Sequence, residues 1–210
     1  MITEIENLLK TDWNDYINDS YPLDRRMLNI TKFVGGMSSE SILYLINILV
    51  GKFAKVYLEI GVLWGLSLIS ASKWNKARCI GIENFFSPQS DRNILNKNLQ
   101  DFNLNNINLY DINYLLLNET LFKNEPNLKV DIFYYDGAKA KPEQVENGLK
   151  ILTPYLSDNC IVMIDDLNEP EIEIPLIKFQ KENPDFVSVL SIKNNKNWHN
   201  GFIMLVREEK

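Results

Sequence analysis

Acidic residues stand at or near the ends of five short apolar runs: Glu59 in KVYLEI (55–60), Glu83 just after RCIGI (78–82), Asp111 in INLYD (107–111), Asp136 after VDIFYY (130–135), and Asp165 with Asp166 after CIVMI (160–164). The first run leads directly into Gly61, Gly65 and Ser67. Gly61 permits a sharp turn and a close approach of backbone to a ligand, and Gly65 does the same where a helix begins. The free N–H groups of that helix's first turn attract a carboxylate, to which the Ser67 hydroxyl can also donate. Glu83 is placed to accept from both hydroxyls of a ribose. Together these residues would hold a nucleoside that bears an anionic group. The glycine spacing is also that of a plain strand-to-helix turn, and Glu83 could equally be a solvated strand-end acid.

A dinucleotide is the natural rival ligand. Its fingerprint needs glycine at the first and third positions of the turn, and here the third is Leu63, whose side chain would meet a pyrophosphate. Tyr135-x-x-x-Lys139 has the spacing of a dehydrogenase catalytic pair. Such a pair shares a face only on a helix, whereas Tyr135 ends a strand pattern. Asp136, Asp165 and Asp166 belong to strands expected side by side, so their carboxylates should converge. For any one of them alone, helix capping or solvation is the simpler reading.

Positioning these residues takes an alternation of strand and helix. The five runs read as strands covered on both faces. Between them fall helical patterns at 66–73, 90–102 with Ser90 as cap, 114–122, and 142–153 with Pro142 in the first turn. Another helix runs from about Glu173 to Lys181, with Pro175 in its first turn. Residues 186–193 and 201–207 read as strands joined by the polar loop Asn194 to Asn200, a length that favours an antiparallel hairpin. Two leading helices, 3–18 and 39–50 with Ser38 as cap, precede the first strand. The expected fold is α/β: a Rossmann-like, seven-stranded, mostly parallel sheet with helices on both faces and a C-terminal antiparallel hairpin. The 210 residues suit one domain, with 1–52 as N-terminal helices forming a cap or lid and 53–210 as the core.

With this order in place, VYLEIGVLWGLSLIS (56–70) resembles the first motif of class I S-adenosylmethionine-dependent methyltransferases. The likeness is strongest to the small O-methyltransferases related to the catechol and caffeoyl-CoA enzymes. The matching residues are Glu59, Ile60, Gly61, Gly65 and Ser67, and GIEN (81–84) resembles the second motif, with Glu83 as ribose ligand. The resemblance runs over about residues 36–207. It implies S-adenosyl-L-methionine as cofactor, with Asp111 near the adenine and Asp136 near the methyl group. Similarity to the cation-dependent members further implies a divalent metal on Asp136, Asp165 and Asp166, with Asp166 standing where Asn is usual. An all-oxygen set suits Mg²⁺, and a single histidine would supply zinc poorly. The same similarity makes Lys139 the general base. The implied reaction is in-line methyl transfer to a small-molecule hydroxyl, metal-assisted. The alternatives are a metal-independent enzyme acting on a sugar or amine, and a non-catalytic nucleotide-binding module.

Composition narrows the partners. The net charge of −6 argues against a nucleic-acid partner, which needs a basic footprint. Cys79 and Cys160 lie beside β-branched runs and read as buried free thiols. The N-terminal MITEIENLLKTDW carries acids within its apolar pattern, unlike a secretory signal. No apolar run reaches the roughly 20 residues that span a bilayer. A cytoplasmic protein with a small-molecule acceptor is expected, as a homodimer if it follows similar enzymes. His199, the one imidazole, falls in the hairpin loop and reads as a surface or packing residue, with a base role held in reserve. Trp13, Tyr16 and Tyr21 read as packing the leading helix onto the sheet in preference to forming a lid. Glu169, Glu171 and Glu173 read as a solvated helix entrance.

Overall fold

The apolar runs become five parallel strands, β1 (Val56–Ile60), β2 (Arg78–Glu83), β3 (Ile107–Asp111), β4 (Val130–Tyr135) and β5 (Leu156–Asp165). Together with β6 (Val187–Ile192) and β7 (Phe202–Arg207) they form one seven-stranded sheet in the order β3-β2-β1-β4-β5-β7-β6. The order reverses between β1 and β4, which makes their carboxyl ends the switch point of the sheet. The closing hairpin is antiparallel, as its loop length predicts, and β7 lies between β5 and β6. The computed structural model describes residues 1–14, 30–137, 141–193 and 201–209. Tyr16, Tyr21, Lys139 and His199 lie outside the described residues.

The helices are α1 (Ile2–Leu8), continued by a π-helical turn over Leu9–Trp13, then α2 (Glu40–Phe53), α3 (Leu66–Ser72) and α4 (Arg92–Phe102). A 3₁₀ segment (Tyr114–Glu119) leads to α5 (Leu121–Asn124), α6 (Pro142–Leu152) and α7 (Pro170–Glu182). Several ends differ from the sequence expectation by one to four residues, for local reasons. Ser39, not Ser38, caps α2, accepting the Ile42 N–H at 3.3 Å. Asp91, not Ser90, caps α4, because its carboxylate reaches two N–H groups, those of Asn93 at 2.8 Å and Ile94 at 3.2 Å. The pattern at 114–122 breaks in two at Thr120, whose backbone leaves the helical region. α7 starts three residues early, at Pro170, whose missing N–H suits a first turn and leaves Pro175 inside the helix.

Side chains alternate between two cores. On one face Tyr57, Tyr134, Met163 and Met204 pack under the N-terminal helices and α3; on the other Leu58, Phe133, Val162 and Leu205 pack under α6 and α7. Trp13 is buried and its indole N–H donates to the Ser41 carbonyl at 3.1 Å, so it fastens the leading helix to α2. Cys79 and Cys160 are buried free thiols, pushed up to about 12 and about 11 by that burial. Among the described residues no helix is long and apolar enough to cross a membrane.

Candidate active site

Strand periodicity places the acids. Glu59 pairs in register with Gly81 on β2 and Tyr134 on β4, while Glu83 pairs with Asp111 on β3. Because every second side chain points the same way, Glu59, Glu83, Asp111, Asp136 and Asp165 share the face covered by the N-terminal helices, at the carboxyl edge of the sheet. At Gly61 the backbone takes φ +89°, and a Cβ there would lie 2.0 Å from the Asp136 carbonyl oxygen. Glycine is therefore required where β1 and β4 diverge. Gly65 (φ +92°) begins α3, and a Cβ there would lie 2.8 Å from Leu95 Cδ1.

Glu83 is held by the loops on either side of it. Its carboxylate accepts the Leu63 N–H at 2.9 Å, the Phe85 N–H at 3.0 Å and the Ser90 hydroxyl at 3.4 Å. Leu63 and Phe85 both have left-handed backbones (φ 50° and 53°), which turn those N–H groups onto the acid. A carboxylate has about four acceptor positions, and the long Ser90 contact is readily exchanged for a ligand hydroxyl. Next to it, Asp111 pairs with Arg92, whose guanidinium lies 4.8 Å from the Phe85 ring centroid. These residues form a rim suited to a nucleoside.

Glu59 faces inward. It is fully buried and accepts the Tyr57 hydroxyl at 2.7 Å and the Ser67 hydroxyl at 2.6 Å. The Ser67 hydroxyl, which the motif alone assigns to a ligand carboxylate, is thus donated to Glu59. Burial raises the Glu59 carboxyl to about 7, against the pull of those two donors and with a further push from Glu83.

Beyond β4, Asp136 and Asp165 meet around Tyr134. The Tyr134 hydroxyl lies 3.1 Å from Asp165 Oδ2 and 3.5 Å from Asp136 Oδ2. Burial, and then the neighbouring charges of Asp165, Glu59 and Asp166, hold the Asp136 carboxyl well above the usual range, against the donor Tyr134. Burial likewise pushes the Tyr134 phenol up, so it stays protonated. Asp165 Oδ1 accepts the Asp166 N–H at 2.9 Å, and Asp166 itself has a left-handed backbone (φ 59°). Among the described residues no three histidine, cysteine, aspartate or glutamate side chains gather closely enough to hold a metal ion. Among the described residues, Asp136, Asp165 and Asp166 are thus not gathered into the divalent cage that the resemblance implies.

Asp165 also lines a small cleft with Met37, Ser38, Ile42 and Phe202, and the buried Ser38 hydroxyl has no hydrogen-bond partner among the described residues. A larger hollow, lined by Leu115, Asn118, Asn147, Lys150 and Ile151, contains none of these acids. Sequence reasoning missed Tyr57 and Tyr134. The available signal was their spacing, two residues before Glu59 and Asp136, which puts each hydroxyl beside its acid on one strand face.

No family model matches the chain, and no curated protein matches its sequence. Solved structures do match. A Klebsiella pneumoniae protein provisionally described as an O-methyltransferase superposes with a TM-score of 0.69 at 17% identity, over 93% of this chain and 96% of that one. The O-methyltransferase from Bacillus cereus, in complex with SAH, gives 0.64 at 20% identity, over 92% and 96%. An SAH-bound methyltransferase from Podospora anserina gives 0.61 at 18% identity, over 83% and 80%. What this chain shares with them is the Rossmann-like methyltransferase fold.

Proposed function

We propose that the protein is an S-adenosylmethionine-dependent methyltransferase that methylates an oxygen of a small molecule by in-line transfer. The observation that carries this reading is the Glu83 carboxylate, fixed by the Leu63 and Phe85 N–H groups beside the Gly61–Gly65 turn. The two SAH-bound neighbours support the choice of cofactor.

When bound, the cofactor supplies a methyl group on a positively charged sulfur, already strongly electrophilic. The chain's task is then alignment and exclusion of water. Glu83 accepts the ribose hydroxyls, and Asp111 with Arg92 and Phe85 borders the base. Gly61 and Gly65 leave room for close backbone approach. Asp136 and Asp165 lie on the acceptor side, where Asp165 borders the Met37–Phe202 cleft. Lys139 is proposed as the base on resemblance alone.

Calorimetric titration with S-adenosylmethionine and with its demethylated product tests the cofactor assignment. Micromolar binding is expected; absence of binding to both would overturn it. Radiolabelled methyl transfer onto a panel of phenols, catechols, sugars and amines then tests the acceptor. Labelling of amines alone would refute oxygen as the acceptor, and binding with no transfer to any class would favour a nucleotide-binding module.

A further inference from the structure

Tyr134 stands between two carboxylates that the sheet forces together. β4 and β5 pair in parallel with Tyr135 opposite Ile164, so Asp136 and Asp165 leave adjacent strand ends on the same face. Two acids so placed repel each other if both ionise, and a proton or a donor held between them relieves that repulsion. Tyr134 lies two residues before Asp136 and points to that same face, fully buried, with its ring centroid 6.4 Å from that of Phe202. The ring cannot move away without opening the core. Its hydroxyl lies within reach of one oxygen of each acid, at 3.1 Å and 3.5 Å. The second Asp165 oxygen is turned onto the Asp166 N–H.

We infer that Tyr134 does in this site what a divalent cation does in a metal-assisted one: its hydroxyl bridges Asp136 and Asp165, fixes their orientation toward the acceptor, and makes the pair independent of a divalent ion. Tyr134 is a positioning residue, because it acts through the two carboxylates. The orientation claim rests on the methyl-transfer reading above. The cation claim does not.

The test is a calorimetric and thermal-shift titration of the full chain with Mg²⁺, Mn²⁺ and Ca²⁺ alone, for wild type and for Tyr134→Phe. Wild type is expected to show no saturable binding and no change in Tm at millimolar ion. Tyr134→Phe removes the bridging hydroxyl and leaves both carboxyl groups free to take up a cation, so it should gain a saturable, stabilising response to cation. In turnover, Tyr134→Phe should lose about tenfold or more in kcat while retaining cofactor affinity, with partial rescue by the ion. Saturable wild-type binding that Asp165→Asn removes would overturn the inference. So would a Tyr134→Phe variant with wild-type kcat and no cation response. Should Tyr134→Phe not fold, the wild-type titration decides alone. Failure to bind S-adenosylmethionine would sink the functional reading and leave the cation titration meaningful.

Discussion

Glu59 occupies a position where a carboxylate is costly, and the cost has a pH signature. Its carboxyl is raised from 4.5 to about 7, first by burial. In the unfolded chain it loses its proton near the lower value, while the folded protein keeps it up to the higher one. Folding is therefore favoured below the unfolded pKa, and that contribution is lost as pH rises through the folded pKa. The shift corresponds to about 3 kcal/mol. In cofactor-free protein, stability relative to Glu59→Gln should fall by that order between pH 4.5 and 7, measured by urea unfolding across the range. Equal slopes in the two proteins would show that Glu59 titrates normally. Glu83 is the complementary case, an acid kept at the rim by backbone donors. Glu83→Gln keeps an acceptor oxygen but removes the charge-assisted bonds, and should weaken S-adenosylmethionine binding about tenfold or more by calorimetry. An unchanged Kd would remove Glu83 from the ribose site. Glu83 was legible in the sequence because it ends a strand after a glycine turn. Tyr57 and Tyr134 were not, because an aromatic inside an apolar run reads as core until its neighbours across the sheet are known.

At the scale of elements, the edge of the sheet opposite the site has its own fastening. Asp131 near the start of β4 accepts the Lys55 and Val56 N–H groups at 2.8 and 2.9 Å, and the Ser157 hydroxyl at 2.6 Å, so one carboxylate ties β4 to both neighbours. Asp131→Ala should destabilise the fold by about 2 kcal/mol or more in chemical denaturation while the folded fraction binds cofactor normally. A loss of affinity without loss of stability would contradict this division between the two ends of the sheet. The same contacts explain why β5 begins at Leu156 and not at residue 160, as its apolar run suggests. Ser157 is bonded to Asp131, and Arg207 donates to the Leu156 and Ser157 carbonyls, so a polar stretch is drawn into the strand by partners distant in sequence. Strand identity and the antiparallel hairpin were readable because they follow from local period and loop length. Caps were misplaced by one residue where two candidates adjoin, Ser38 beside Ser39 and Ser90 beside Asp91, since only geometry decides which side chain reaches the free N–H groups.

For the molecule as a whole, the nucleoside rim draws on β1, β2 and β3 and the loops that follow them, so ligand binding should be felt as global stability. At a hundredfold excess over Kd, linkage gives about 2.7 kcal/mol. In a chain of this length that raises Tm by roughly 5–10 °C. S-adenosylmethionine should produce such a shift by calorimetry and NAD should produce none; a shift with NAD alone would reverse the argument from Leu63. The placement of β7 has a different consequence, for synthesis. It follows β6 in the chain yet lies between β5 and β6, pairing with both. A ribosome delivers β5 and β6 first, and until Phe202–Arg207 emerge each has an open edge that would invite pairing with other nascent chains. A premature stop before residue 202 would thus remove the middle of a half-sheet and not a tail, and its product should meet chaperones and proteases before it ever meets a substrate.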